Sequence, residues 1–241
     1  MKQIILTAAV AAIALLSCKK DNHDNGNNAV VYGKKVTVGN GTVRSFLLHA
    51  DEPSKMELGL EMEAAVLEGL PAHETEFFIE LPEKTQQVTP YKHVSMDWTP
   101  AGHAPQPIYD KPHFDIHFFM VSRDEQNAIS ASSPDLQKLP DSTFLPEFYF
   151  PEPGGLDKMG KHWADFTSPE LSPVNPAPFT STMIYGTYNA KVVFLEPMIT
   201  RAFLQSQPDT IMNIRQPHSF AVSSNYPQKY KIRVDASSGK I

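Results

Sequence analysis

The sequence predicts a mainly β fold, a single β-barrel or sandwich-like domain with long proline-rich loops and one or two short helices. Three observations carry this. Prolines outnumber glycines, 21 to 12 in 241 residues, and proline is accepted at turns and strand ends but not inside helices. Apolar residues recur with a period of two in short runs, the spacing of a half-buried strand. A composition of 41% hydrophobic and 20% charged residues belongs to an ordinary globular chain and excludes disorder, collagen and coiled coil.

The elements follow in chain order. Residues 1–17 read as a lipoprotein signal peptide: Lys2 is the charged start, residues 4–16 are apolar, and Leu15-Leu16-Ser17-Cys18 closes the segment. The apolar stretch is shorter than the roughly 20 residues a bilayer span needs. Its last four residues resemble the bacterial lipobox, in which the cysteine is acylated, so Cys18 is the expected lipidation site and the membrane an expected partner. Residues 18–29 are polar, as in a flexible tether, and His23 is a solvated residue of it. The Lys-Lys-Asp-Asn start resembles lipoproteins of Bacteroidetes-like bacteria, which implies the cell envelope, with the periplasmic or the surface-facing side left open.

The β-rich domain is expected over 30–241. Residues 30–38 and 42–49 flank Gly39-Asn40-Gly41, a hairpin signal because Asn and Gly accept positive φ. Met56, Leu58, Leu60 and Met62 alternate with Glu57, Gly59, Glu61 and Glu63, the pattern of a half-buried strand. Residues 64–70 form one or two helical turns. Strands follow at 76–81, 91–98 and 113–121, the first two bounded by Pro82, Pro90 and Pro100. Ser122-Arg123-Asp124-Glu125 resembles a capping box and starts a short helix over 123–131. Residues 134–179 are crowded with proline and aromatics and read as a long ordered loop. Strands at 181–188, 191–196 and 229–234 complete the chain.

Several functions are excluded. A formal charge of -6 argues against nucleic acid as a partner. One cysteine rules out a disulfide framework, and its commitment to lipid removes thiol catalysis. No nucleophile elbow, phosphate loop or dinucleotide fingerprint is present.

The sharpest feature is residues 112–120. As a strand, it puts Phe114, Ile116, Phe118 and Met120 on one face and His113, Asp115 and His117 on the other. Imidazole and carboxylate are common ligands of zinc, manganese and iron. Residues two apart on a strand lie roughly 7 Å apart and residues four apart roughly 13 Å, so a regular strand offers one ion only two of the three. The third would serve as a supporting or substrate group. A helical reading would align His113 with His117, but the acid stands at the wrong offset for a zincin. Further donors must come from elsewhere: His103 in Gly102-His103-Ala104-Pro105, His162 with Asp165 as a candidate orienting carboxylate, and Glu196, taken to share a buried face with Val192 and Phe194. Bland readings stand beside these. The 113/115/117 face could be solvated, with Asp115 bridging two histidines. His103 and His162 could be loop residues bonded to backbone, and Glu196 could pair with Arg201 or cap the next segment. His49, His73, His93 and His218 read as structural, Trp98 and Trp163 as core.

At Gly102–Pro105, Pro112–Phe119, Met159–Asp165 and Glu196–Thr200 the chain resembles a family of secreted bacterial proteins of unknown function, related to a β-rich Thermus protein. The resemblance spans about residues 30–236. It implies that His103, His113, Asp115, His117, His162 and Glu196 form one constellation, leaves room for homo-oligomers, and names no reaction. The functional reading is a cell-envelope lipoprotein with a divalent metal, zinc first and manganese or iron next. His103, His113, His117 and His162 are the expected ligands, with Asp115 and Glu196 as acid–base groups toward a small-molecule substrate. The alternatives are a non-catalytic metal- or small-ligand-binding module and a structural lipoprotein.

Overall fold

The computed structural model describes residues 29–49, 55–234 and 239–241. The segment expected to be a signal peptide, Cys18, His23 and nearly all of the expected tether lie outside the described residues. No helix among the described residues is long and apolar enough to cross a membrane.

The chain opens with a small antiparallel sheet. β1 (Ala29–Tyr32) and β2 (Val36–Val38) pair with successive halves of β3 (Gly41–His49), and β4 (Glu57–Met62) runs along its other side. The β2–β3 hairpin turns through Gly39 and Asn40, with Gly39 at φ +53, where a side chain would be strained. A 3-10 turn at Ala64–Leu67 follows.

The body of the molecule is a seven-stranded antiparallel sheet. Its strands are β5 (Thr75–Glu80), β6 (His93–Thr99), β7 (His113–Phe119), β8 (Tyr149–Pro151), β9 (Lys161–Asp165), β10 (Ser181–Tyr188) and β11 (Lys191–Thr200). The order across it is β5-β6-β7-β11-β10-β9-β8, open at β5 and β8, so the barrel alternative is not what forms. β12 (Asp209–Asn213) and β13 (Lys229–Arg233) make a separate ribbon.

Among the described residues three short helices occur rather than one or two: α1 (Thr85–Val88), α2 (Arg123–Asn127) and α3 (Arg201–Gln205). The capping box at Ser122 and Glu125 forms, but α2 ends at Asn127, short of residue 131. Residues 134–179 are not one loop. They hold β8, β9 and three 3-10 turns, and β9 carries His162.

Both faces of the large sheet are covered. One carries Met96, Phe114, Ile116, Leu195 and Tyr185 into a core shared with Val38, Val43 and Met62 of the small sheet and Ile232 of the ribbon. The other carries Phe119, Phe194, Ile184 and Met198, packed with Tyr109, Ile129 and Phe179 from loops. β7 is therefore buried on both sides, and its polar residues are sealed in: His113 is 0%, Asp115 6% and His117 1% exposed. The solvated-face alternative falls with this.

Candidate metal centre

Register builds the site. On β7, His113, Asp115 and His117 share the face of Phe119, as strand alternation requires. β6 lies on one side and sets Thr99, Asp97 and Ser95 opposite them. β11 lies on the other, where Leu195↔Phe118 and Met198↔Asp115 bring Glu196 across from His117. β10 then pairs Ile184 with Glu196 and Gly186 with Phe194, and β9 pairs His162 with Gly186. His162 thus reaches Glu196 over a residue without a side chain. A bulge at Gly186/Thr187 leaves Val193 out of the pairing. Val192 consequently joins the opposite core, not the face of Phe194 and Glu196 expected from strict alternation.

The six residues converge as two triads. His103, His113 and Asp115 form one, and His117, His162 and Glu196 the other; in each, one donor atom per residue lies within 4.8 Å of the others. In the first, Asp115 Oδ1 is 3.0 Å from His113 Nε2 and Oδ2 is 3.5 Å from His103 Nε2. In the second, Glu196 Oε2 is 3.4 Å from His117 Nε2 and 3.5 Å from His162 Nε2. Both carboxylates expected as acid–base groups therefore stand among the ligand-capable atoms. Two donors bound at about 2.0–2.1 Å to one tetrahedral ion are about 3.3 Å apart, which is the spacing seen here.

These contacts are close without being aligned as hydrogen bonds. His113 Nε2, Asp115 Oδ1, both ring nitrogens of His117 and Glu196 Oε2 are buried with no hydrogen-bond partner. Buried polar atoms are ordinarily partnered, and leaving them bare is costly. The outer edges of two rings are held by backbone carbonyls. His113 Nδ1 donates to the Lys111 carbonyl and His103 Nδ1 to that of Ala104, both at 2.6 Å, which fixes each neutral ring with its lone pair on Nε2. Asp97 Oδ2 lies 3.1 Å from His117 Nδ1, and the Thr99 hydroxyl donates to Asp115 at 3.2 Å. Imidazoles backed by carbonyls and carboxylates are typical of metal ligands.

Charge points the same way. Asp97 and Asp115 are direct cross-strand partners, an arrangement in which like charges repel. Among the described residues, neither they nor Glu196 forms an ion pair with Lys or Arg; their partners are histidines. Burial draws the His103 imidazolium down, but Asp115 holds its pKa up at about 9. Burial would raise Asp115, yet His103 and His113 keep it well below the usual carboxylate range. Likewise burial lowers His117, while Glu196 and Asp97 hold it up at about 9. Glu196 is pushed up by burial to about 8, and burial together with the His117 charge drives His162 down to about 3.

Some expectations need correcting. Asp165 does not orient His162: residues three apart on a strand face opposite ways, and Asp165 binds Thr167 and Arg215. Glu196 does not pair with Arg201, and it is Thr200 whose side chain caps α3. His103 is both a loop residue bonded to backbone and a partner of Asp115. Asp97 and Thr99 join the site from β6, and the signal for them in the sequence is the polar alternation of His93, Ser95, Asp97 and Thr99. His93 is structural, bonded to Gln126 at 2.7 Å and stacked on Phe119. Trp98 and Trp163 are core.

Residues 55–98 match the model of a family described as TTHB210-like, hypothetical protein TTHB210, which supports a relation to a Thermus protein. The matched stretch contains Asp97 and ends before the first of the six residues in the triads. No curated protein and no solved structure matches the chain.

Proposed function

We propose that the protein is a cell-envelope lipoprotein, anchored through Cys18, whose large sheet binds a divalent metal ion through histidines and carboxylates. One observation carries the metal reading: buried imidazole and carboxylate atoms without hydrogen-bond partners, grouped at the spacing of donors on a common ion. Two imidazoles and one carboxylate suit zinc first and manganese or iron next. Three protein ligands leave a further position for water or a small-molecule substrate, and a metal there would activate water or polarise a carbonyl. In that reaction the chain's own part is positional. The Lys111 and Ala104 carbonyls hold the rings of His113 and His103, the Asp97 carboxylate lies beside that of His117, and the aromatic wall of Phe119, Phe179 and Phe194 limits water around them.

A non-catalytic metal-holding module is the second reading, favoured by the near-complete burial of His117, His162 and Glu196. The test is elemental analysis of the purified full chain, before and after His117→Ala. At least one equivalent of zinc, manganese or iron per chain is expected, reduced in the variant, which retains the apolar face of Phe114 and Ile116 and so stays folded. Wild-type metal content in the variant would show that His117 is not a ligand. A metal-free wild type that takes up no added zinc would refute the reading.

A further inference from the structure

We infer that the sheet face holds two ions rather than one: an enclosed inner ion on His117, His162 and Glu196, and an accessible outer ion on His103, His113 and Asp115. This rests on the metal reading above and extends it.

Strand geometry excludes a single shared centre. His113 and His117 are four residues apart on β7, roughly 13 Å between Cα atoms, with side chains standing parallel off the sheet. Their Nε2 atoms have already diverged to different carboxylates, 3.0 Å from Asp115 and 3.4 Å from Glu196. An ion at about 2 Å from one set cannot reach the other. Unpartnered buried atoms occur in both triads: His113 Nε2 and Asp115 Oδ1 in the outer, His117 Nε2 and Glu196 Oε2 in the inner. Filling one triad would leave the other's atoms bare.

The two positions differ in access. His103 comes from the loop between β6 and β7, and its side chain is 39% exposed, so the outer ion has a route to solvent. In the inner triad no side chain exceeds 13% exposure. Phe194 closes over it, 4.8 Å from the His117 ring and 5.3 Å from that of His162. An enclosed ion suits a structural role and an accessible one suits ligand exchange.

The experiment loads the full chain with zinc alone, removes the excess and counts metal, then follows release to a chromogenic chelator. Two zinc ions per chain are expected, leaving in two phases of equal amplitude. His103→Ala should abolish the fast phase and keep the slow one. His162→Ala should abolish the slow phase; if circular dichroism shows that variant unfolded, Glu196→Gln, which preserves volume, should lose the same phase. One zinc per chain, or two released in a single phase, would overturn the inference while leaving a metal protein. No zinc at all would instead remove the reading on which it rests.

Discussion

Replacing Gly186 with alanine perturbs the inner triad without touching a ligand. Gly186 lies on β10 between His162 of β9 and Phe194 of β11. A Cβ built there overlaps three carbons of the Phe194 ring. The glycine is not in a left-handed conformation, so the penalty is steric and not one of backbone strain. Phe194 has nowhere to go. It is fully buried, its ring 5.2 Å from that of Phe119 and packed on both inner imidazoles. Either the ring presses into His117 and His162 or β10 and β11 part. Overpacking of this type costs ~1–3 kcal/mol. For a domain of this length that lowers Tm by roughly 2–12 °C. The same displacement moves His117 and His162 off their present spacing, so zinc content should fall too. Differential scanning calorimetry and elemental analysis on one preparation read both effects. An unchanged Tm with full zinc would refute the claim that Phe194 is pinned against these histidines by the absence of a side chain at 186.

Other outcomes follow from neighbouring contacts. Asp97→Asn should weaken zinc binding by about 10- to 100-fold, because it alters the carboxylate behind His117 while leaving every triad residue in place; equal affinity in a chelator competition would deny Asp97 that role. Glu76 links β5 to α2 and the 158 loop through Arg123 and Lys158. Burial would raise its pKa, but Arg123, Ser95 and Lys158 bring it from 4.5 down to about 2. The depressed value stabilises the fold above pH 4.5, and that stabilisation is lost as pH falls from 4.5 toward 2. Its size, discounted for partial exposure, is roughly 1–3 kcal/mol. Glu76→Gln should therefore lower urea stability at pH 7 and flatten its decline in acid, and a variant matching wild type at both pH 7 and pH 3 would contradict this. Cys18→Ser should release the protein to soluble fractions or leave an unprocessed precursor, and membrane retention with normal processing would exclude lipidation.

Strands were legible where alternation or a turn signal was strong, as at Met56 to Met62, His113 to Phe119 and the Gly39-Asn40 hairpin. β9 was not. Lys-His-Trp-Ala-Asp has no β-branched residue and sits among prolines, so its extended form comes from pairing with β10, a tertiary effect no local pattern records. The bulge at Val193 shows a different failure. One unpaired residue reverses the inward face, and Val192 fell on the wrong side although Glu196 was placed correctly on its own.

The site divides along the same line. Alternation alone made His113, Asp115 and His117 collinear, and the 7 Å step alone implied that one ion could not use all three. What sequence could not supply is the order β7-β11-β10-β9, which carries His162 to Glu196 from 34 residues upstream. That order also explains why so small a residue as Gly186 matters. β10 separates β9 from β11, and Gly186 is the register partner of both His162 and Phe194, whereas Ile184 on the same face pairs with Ala164 and Glu196. A side chain at 186 would occupy the space that the Phe194 ring now fills beside His162. A glycine in the middle of a buried strand weakens that strand by itself. Its place here follows from what must meet across it.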